Sequence, residues 1–243
     1  MALLKLTRFS LLLQNQCTTR ILLPDNLEIN QPLTVIWLLH GLGDNGTCWL
    51  RKTTLEQITS NYRIAVIMPD MGRSFYTNAK DGLPYWDYLT EELIPQMRRL
   101  LPLSNQRSEN YLLGNSMGGF GAFKLAFKHP NWFQVVATFS PVVDLNIVKT
   151  IMPDYTHIFG SQIPQNYLQK LAKQSSPEQL TSIHWQHTIG QNDFMKDAND
   201  QFAQWMKTLK LDYTYTVSPG QHDWSFWENE LVKLFKIWQL PLV

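Results

Sequence analysis

The sequence predicts an α/β protein with a mostly parallel central sheet flanked by helices, and three observations support this prediction. Short, almost continuously apolar runs recur along the chain, as in strands that are covered on both faces. Stretches of helical composition alternate with these runs, which is typical of repeated strand–helix–strand units. The 243 residues, of which 44% are hydrophobic, can bury one sizeable core, so we expect a single domain over 1–243.

These patterns predict eight strands and five helices. The strand runs are rich in apolar and β-branched residues, and they span 4–13, 18–23, 33–39, 63–68, 111–113, 134–139, 183–189 and 213–217. The helical stretches span 48–60, 85–101, 117–128, 194–209 and 224–238. The first two strands should pair as a hairpin at one edge of the sheet. Lys5 and Arg8 interrupt the N-terminal apolar run, which favours a strand over a signal peptide there.

One long segment breaks the alternation of strands and helices. Residues 141–182 are polar, contain proline and are longer than an ordinary connection. We interpret this segment as a small cap or lid insertion, with an interface as the alternative. The aromatic-rich C-terminal helix could pack inward or against a partner, so a homo-oligomer stays open.

Charge and composition exclude several classes of partner. The formal net charge is +1 and the basic residues are scattered, so no field forms that would attract nucleic acid. No stretch approaches the roughly 18 uninterrupted apolar residues of a membrane-spanning helix. We therefore expect a cytoplasmic protein without a membrane partner. Cys17 and Cys48 are too few for a disulfide framework and are predicted to be free thiols.

The segment Gly114-Asn-Ser116-Met-Gly118 carries the chemistry. It matches the nucleophile elbow G-x-S-x-G, in which a serine stands on a tight turn between a strand and a helix. A predicted strand precedes the segment and a predicted helix follows it, which is the setting that the motif requires. The alternative is a glycine-rich turn with an ordinary serine. The elbow predicts Ser116 as a nucleophile in an α/β-hydrolase fold.

The order of residues along the chain restricts the search for the base and the acid. In this fold the partners follow the serine in the order Asp or Glu, then His. His222 lies in a loop after the last predicted strand, whereas His157 in the insertion is a weak candidate. Asp193 directly follows the strand at 183–189, and Asp144 is the reserve acid. We predict that His222 takes the serine proton and that Asp193 orients the imidazole.

Two backbone N–H groups are predicted to bind the oxyanion of the tetrahedral intermediate. The elbow supplies the N–H of Met117, the residue after the nucleophile. The second donor should come from the glycine-rich loop that follows the strand at 33–39. We assign the Leu42 N–H, with Gly41 as the alternative.

Several motifs taken together resemble the esterase D-like family of bacterial tributyrin esterases, which includes S-formylglutathione hydrolases and some feruloyl-ester hydrolases. The matching segments are LLHGLGDNGTCWLRKT, IMPDMGRSFYTN, YWDYLTEEL, GNSMGGFGAFKLA, IGQNDF and GQHDWSFWE, which together extend through nearly the whole chain. The resemblance implies Ser116, Asp193 and His222 as the triad and an oxyanion loop at 40–42. Asn115 departs from the apolar residue that relatives often carry, and Cys48 from a frequent serine.

Four residues are candidates for substrate contact: Gly41 in the oxyanion loop and the aromatic residues Tyr76, Trp86 and Trp224 beside the matching motifs. For the aromatic residues, packing between the cap and the sheet is the alternative. No metal-ligand spacing such as H-E-x-x-H is present, and serine hydrolysis requires no cofactor.

The sequence therefore predicts a serine carboxylesterase for a small-molecule ester with a short acyl group, acetyl or butyryl, that reacts through an acyl-enzyme. An S-formylglutathione hydrolase-like thioesterase and an acyltransferase are alternatives within the same chemistry. A peptidase uses the same triad, but the resemblance disfavours it. The non-enzymatic alternative is a binding protein on a hydrolase scaffold, which is disfavoured because every element of the catalytic machinery is present.

Overall fold

The central feature is an eight-stranded sheet in the computed structural model of the chain, which describes residues 1–27 and 31–243. The strands are β1 Ala2–Ser10, β2 Asn15–Leu23, β3 Thr34–Leu39, β4 Ile64–Pro69, β5 Asn110–Asn115, β6 Val135–Phe139, β7 His184–Gly190 and β8 Tyr213–Ser218. Their order across the sheet is β1-β2-β4-β3-β5-β6-β7-β8. The β1/β2 and β2/β4 pairs are antiparallel and the other five pairs are parallel, so the predicted mostly parallel sheet is confirmed.

Helices cover both faces of this sheet. They are α1 Cys48–Lys52, α2 Leu55–Thr59, α3 Tyr85–Asp87, α4 Ile94–Leu100, α5 Met117–Lys128, α6 Val148–Ile151, α7 Tyr155–Phe159, α8 Tyr167–Gln174, α9 Pro177–Thr181, α10 Lys196–Thr208 and α11 Trp224–Ile237. The predicted helix over 48–60 is two helices, because Thr53 adopts an extended backbone and its hydroxyl donates to the Trp49 carbonyl. Among the described residues, no helix has both the length and the apolar character needed to cross a membrane.

Alternation along β3 explains why its sequence is apolar from Val35 to Leu39. Val35 and Trp37 belong to the hydrophobic cluster under α5, whereas Ile36 and Leu38 belong to the cluster under α11. Successive side chains of a strand point to opposite faces of the sheet, so a strand covered on both sides needs apolar residues at every position. The elbow thus lies at the edge of a sheet that is packed on both faces.

The N-terminal hairpin ends earlier than predicted. The first strand stops at Ser10, because the Glu92 carboxylate accepts hydrogen bonds from the Ser10 hydroxyl at 2.7 Å and from the N–H groups of Leu11 and Leu12 at 3.2 Å. Glu92 lies in a π-helical stretch, Tyr88–Leu93, that joins α3 to α4. The position of the turn is therefore set by contacts with a residue about eighty positions away in the chain. The local hairpin pattern gives no sign of these contacts.

The segment over 141–182 folds into four short helices, α6 to α9. The Tyr167 ring of α8 stacks on Phe120 of α5 at 5.8 Å between centroids, and Phe159 of α7 packs edge-on against Phe75 at 5.4 Å. The segment is thus packed against the helix that follows the elbow. Movement of the segment as a lid, and the assignment of 1–243 to a single domain, stay predictions.

A buried histidine in β7 gives the fold a predicted pH dependence. The His187 ring contacts the Asn199 side-chain oxygen and the Tyr213 hydroxyl, each at 2.7 Å, and burial lowers the pKa of His187 to about 4. The unfolded chain keeps the ordinary value of about 6.5, so it binds this proton at a pH at which the folded chain does not. Stability from this group is complete above pH 6.5 and is lost as the pH falls towards 4.

We expect His187 to lower the free energy of unfolding by roughly 2.5 kcal/mol between pH 7 and pH 4.5. Urea denaturation at both pH values measures the change. The variant His187→Gln removes the titrating group, so its loss of stability over the same interval should be smaller by that amount. An identical pH dependence in the two proteins would contradict the assignment.

Candidate active site

Ser116 stands at the junction of β5 and α5, where the backbone turns sharply. Its φ of +52° lies in the left-handed region, which is unfavourable for a residue with a side chain. Three backbone hydrogen bonds hold it there: the Ser116 N–H donates to the Phe139 carbonyl, and the Ser116 carbonyl accepts from the N–H groups of Phe120 and Val142. The surrounding structure thus imposes the conformation that aims the hydroxyl away from the sheet.

The two glycines of the motif are required for space. A Cβ on Gly114 would lie 2.2 Å from the Gly118 carbonyl oxygen, and a Cβ on Gly118 would lie 2.4 Å from the Leu39 carbonyl oxygen. Real Cβ atoms do not approach backbone oxygens so closely. The glycines therefore allow α5 to start directly against β5 and β3, which is the strand–turn–helix arrangement that the motif predicts.

The structure brings Ser116, His222 and Asp193 together in one line of hydrogen bonds. The His222 Nε2 atom lies 3.0 Å from the Ser116 Oγ, and the His222 Nδ1 atom lies 2.9 Å from the Asp193 Oδ2. The second carboxylate oxygen, Oδ1, accepts from the Met195 N–H at 2.9 Å. Asp193 is buried, and these two hydrogen bonds orient its carboxylate. This geometry allows the imidazole to take a proton from the serine hydroxyl.

The loops that carry the acid and the base are joined to each other. Asp193 follows the end of β7, and His222 follows the end of β8, which pairs with β7. The Asn192 N–H donates to the Gly220 carbonyl at 2.8 Å, so the two loops keep a fixed separation beyond the sheet. The Gly190 position is closely packed, because a Cβ there would lie 2.7 Å from the Gly220 oxygen. Parallel strands thus deliver both side chains to the same sheet edge as the elbow.

Two aromatic rings that the sequence prediction missed contact the imidazole. The Phe194 ring lies 4.8 Å from the His222 ring, and Trp227 meets it edge-on at 5.0 Å. Phe194 is 59% exposed, whereas Trp227 is buried. Phe194 directly follows Asp193, and Trp227 lies one helical turn after Trp224. Their positions next to predicted site residues are the signal that could have identified them. Both rings restrict the orientation of His222.

The glycine-rich loop passes directly beside the serine. A Cβ on Gly41 would lie 3.4 Å from the Ser116 Cβ and 3.2 Å from the Asn115 side-chain nitrogen. A cavity of about 380 Å³ opens there, with Gly41, Leu42, Ser116, His222, Trp224 and Trp227 among its lining residues. The predicted contacts of Gly41, Leu42 and Trp224 with this space are therefore geometrically available. Met117, the other proposed oxyanion donor, is the first residue of α5 and directly follows Ser116.

Three charged side chains line this cavity: Lys52, Asp44 and Asp223. The Lys52 ammonium donates to the Asp44 carboxylate at 3.2 Å and lies 5.2 Å from the centroid of the Trp224 ring. The Asp223 carboxylate accepts from the Phe226 N–H at 2.9 Å at the start of α11. The lining therefore carries one more negative than positive side chain, which disfavours an anionic substrate.

Comparison with known proteins identifies the family. A family model described as “Putative esterase” matches residues 10–236. The chain belongs to this esterase family. An acetyl esterase of Caldicellulosiruptor saccharolyticus is 24% identical in an alignment 262 positions long, which covers 97% of each protein. The chain is a carboxylic ester hydrolase, and the predicted family is confirmed.

Solved structures agree with this assignment. FphF, a fluorophosphonate-binding serine hydrolase of Staphylococcus aureus, superposes on the esterase with a TM-score of 0.89 at 24% identity, covering 97% of each chain. The S-formylglutathione hydrolase FrmB of Staphylococcus aureus gives a TM-score of 0.82 at 25% identity and the same coverage. The predicted α/β-hydrolase fold is therefore confirmed.

Two of the predicted substrate-contacting residues lie elsewhere in the esterase. Tyr76 is fully buried, and its hydroxyl donates to the His40 carbonyl at 2.9 Å. Trp86 stacks on His129 with ring centroids 5.9 Å apart, and the Lys124 ammonium lies 4.3 Å from its centroid. Neither residue lines the cavity at Ser116. This corrects the prediction, since Tyr76 lies in the interior against α5 and the half-buried Trp86 packs beside Lys124 of α5.

The reserve residues make no hydrogen bond to the triad among the described residues. The Asp144 carboxylate accepts from the Asn146 N–H at 2.9 Å, and His157 lies exposed in α7. Asn115 is buried beneath Gly41, and neither polar atom of its side chain has a hydrogen-bond partner among the described residues. Cys48 is buried, and burial raises the pKa of its thiol.

Proposed function

We propose that this esterase hydrolyses short-chain acyl esters, of the acetyl or butyryl type, through an acyl-enzyme on Ser116. The observation that carries the proposal is the continuous hydrogen-bond line from Asp193 through His222 to Ser116, beside a cavity of about 380 Å³. A serine hydroxyl needs an adjacent base to become nucleophilic, and this arrangement supplies one together with its orienting carboxylate. The size of the cavity suits a small ester.

The reaction follows from the positions of these groups. The Ser116 Oγ attacks the ester carbonyl carbon while its proton moves to the His222 Nε2, and the carbonyl oxygen becomes an oxyanion. The N–H groups of Leu42 and Met117 stabilise that charge. The intermediate then collapses: its bond to the alcohol oxygen breaks, and His222 returns the proton to that oxygen. A water activated by His222 attacks the acyl-enzyme in the same way and releases the acid.

Gly41 and Trp224 are the proposed substrate contacts. The absence of a side chain on Gly41 allows the ester carbonyl to approach the loop beside Ser116, while the half-buried Trp224 offers an apolar wall at the cavity. A cytoplasmic location and self-association of the chain stay predictions from the sequence.

Thioester hydrolysis is the second candidate. FrmB, which is 25% identical over 97% of the chain, is named as an S-formylglutathione hydrolase. The same triad cleaves a thioester, since a thiolate leaves more readily than an alkoxide. The lining carries two carboxylates, of Asp44 and Asp223, and one ammonium, of Lys52, which argues for a neutral ester over the anionic glutathione carrier.

We expect the protein to hydrolyse p-nitrophenyl acetate and p-nitrophenyl butyrate. Different acetate esters should form the same acetyl-enzyme, which can be detected by how it divides between water and a competing alcohol. Methanol added to the reaction competes with water for that intermediate, so p-nitrophenyl acetate and 1-naphthyl acetate should give one ratio of methyl acetate to acetic acid. A ratio that changes with the leaving group would contradict an acyl-enzyme. If kcat/KM for S-formylglutathione exceeds that for every oxygen ester by more than a hundredfold, the thioesterase is the correct assignment.

A further inference from the structure

Tyr76 connects the oxyanion loop to the interior of the protein. Its side chain is fully buried, and its hydroxyl donates to the His40 carbonyl at 2.9 Å, one residue before Gly41. The Tyr76 ring packs directly against α5 at Gly121, where a Cβ would lie 2.5 Å from a ring carbon. The position of the ring is therefore fixed by the helix that starts at the nucleophile.

The backbone of this tyrosine is held in an unfavourable conformation. Phe75 and Tyr76 both have a φ of +50°, which bulky residues rarely adopt and which persists only where neighbouring contacts impose it. The Ser74 hydroxyl oxygen accepts from the Tyr76 N–H at 3.0 Å. The Lys124 ammonium donates to the Tyr76 carbonyl at 2.8 Å and to the Thr77 hydroxyl at 2.6 Å. Lys124 is 3% exposed, so both of its hydrogen bonds lie in the protein interior.

The His40 side chain fixes the next peptide of the same loop. The Met71 N–H donates to its Nε2 at 2.9 Å, so Nε2 is unprotonated and the proton is on Nδ1. The Nδ1–H then donates to the Gly41 carbonyl at 2.8 Å. The carbonyls of His40 and Gly41 are thus both held, one by the Tyr76 hydroxyl and the other by the imidazole.

In a trans peptide the C=O and the following N–H point in opposite directions. Holding the Gly41 carbonyl on the His40 ring therefore aims the Leu42 N–H away from that ring. We propose that Tyr76, held by Lys124, is a positioning residue that fixes the loop at 40–42 so that the Leu42 N–H meets the oxyanion. This inference rests on the proposed esterase mechanism at Ser116.

The variant Tyr76→Phe tests the proposal, because it removes the hydroxyl and keeps the ring against α5. We expect kcat for p-nitrophenyl acetate to fall by about ten- to a hundredfold with KM nearly unchanged, which is less than the loss of a whole oxyanion donor. An alkyl boronic acid forms a tetrahedral adduct with the serine and places an oxygen in the same site. Its inhibition constant should rise in parallel with the loss of kcat.

Tyr62→Phe is the matched control, since the Tyr62 hydroxyl also donates to a backbone carbonyl, that of Phe235, at the opposite end of β4. It should leave kcat and boronate affinity as in the wild type. In the Lys124→Met variant, kcat should fall and the inhibition constant of the boronic acid should rise, as in Tyr76→Phe.

The outcomes separate this proposal from the proposed function. A folded Tyr76→Phe variant with wild-type kcat and boronate affinity would overturn the positioning role, as would a loss of kcat that only follows the fraction of unfolded protein in circular dichroism. If the wild type neither hydrolyses esters nor binds the boronate, the proposed function itself fails.

Discussion

Ser116→Ala should lower kcat/KM for p-nitrophenyl acetate by roughly 10⁴- to 10⁶-fold. Without the Oγ no acyl-enzyme can form, and only the oxyanion donors and substrate binding remain to assist direct attack by water. The fold should be unaffected, since the Ser116 hydroxyl contacts His222 and the backbone hydrogen bonds of the turn do not involve the side chain. Steady-state rates together with circular dichroism measure both effects.

Ser140→Ala is a matched control for this variant. Ser140 is also buried, directly follows the neighbouring strand β6 and has a φ of +47°. Its hydroxyl accepts from the Trp227 indole N–H at 3.2 Å and makes no contact with the proposed nucleophile. We expect kcat/KM to stay within about tenfold of the wild type. A folded Ser116→Ala protein that is as active as Ser140→Ala would show that the nucleophile lies elsewhere.

Asp193→Asn should lower kcat by about 10⁴-fold through the wrong histidine tautomer. The Met195 N–H donates to the Oδ1 position, so the amide oxygen of the asparagine should accept this hydrogen bond. The NH₂ group of the asparagine then faces the His222 Nδ1. The Nδ1 must then accept a hydrogen bond, and the proton moves to Nε2. A protonated Nε2 cannot take the proton of Ser116, although the geometry of the site is unchanged.

Asp144→Asn provides the comparison for the acid. Asp144 is the reserve candidate from the sequence, and its carboxylate accepts from the Asn146 backbone and side chain rather than from a histidine. This variant should keep its activity. If the losses were reversed, with Asp144→Asn inactive and Asp193→Asn active, the assignment of the acid would be wrong.

The mostly parallel sheet and the places of the three proposed catalytic residues could be predicted from local patterns and chain order. Strands covered on both faces show as continuous apolar runs, and the parallel connections deliver residues that follow strand ends to one sheet edge. Ser116, His222 and Asp193 each follow a strand, so sequence position alone indicated that they would meet. The glycines at 114 and 118 further indicated a tight turn at the serine.

The surroundings of the site could not be predicted in the same way. Tyr76 and Trp86 lie beside motifs, but proximity along the chain does not show which way a side chain points, and both are turned towards α5. The contact between Tyr76 and His40 spans 36 residues. The break of the first helix at Thr53 depends likewise on one hydroxyl contact. Such features arise from tertiary packing, which overrides local propensity.

The site of covalent labelling by a fluorophosphonate tests the central claim most directly. Attack by the Ser116 Oγ on phosphorus expels fluoride and leaves a stable phosphonate ester, so peptide mass spectrometry should find one adduct, on the peptide containing Ser116. Labelling should abolish ester hydrolysis and should be absent from Ser116→Ala. An adduct on a different residue that abolishes hydrolysis, or a fully labelled Ser116 with hydrolysis intact, would contradict the account.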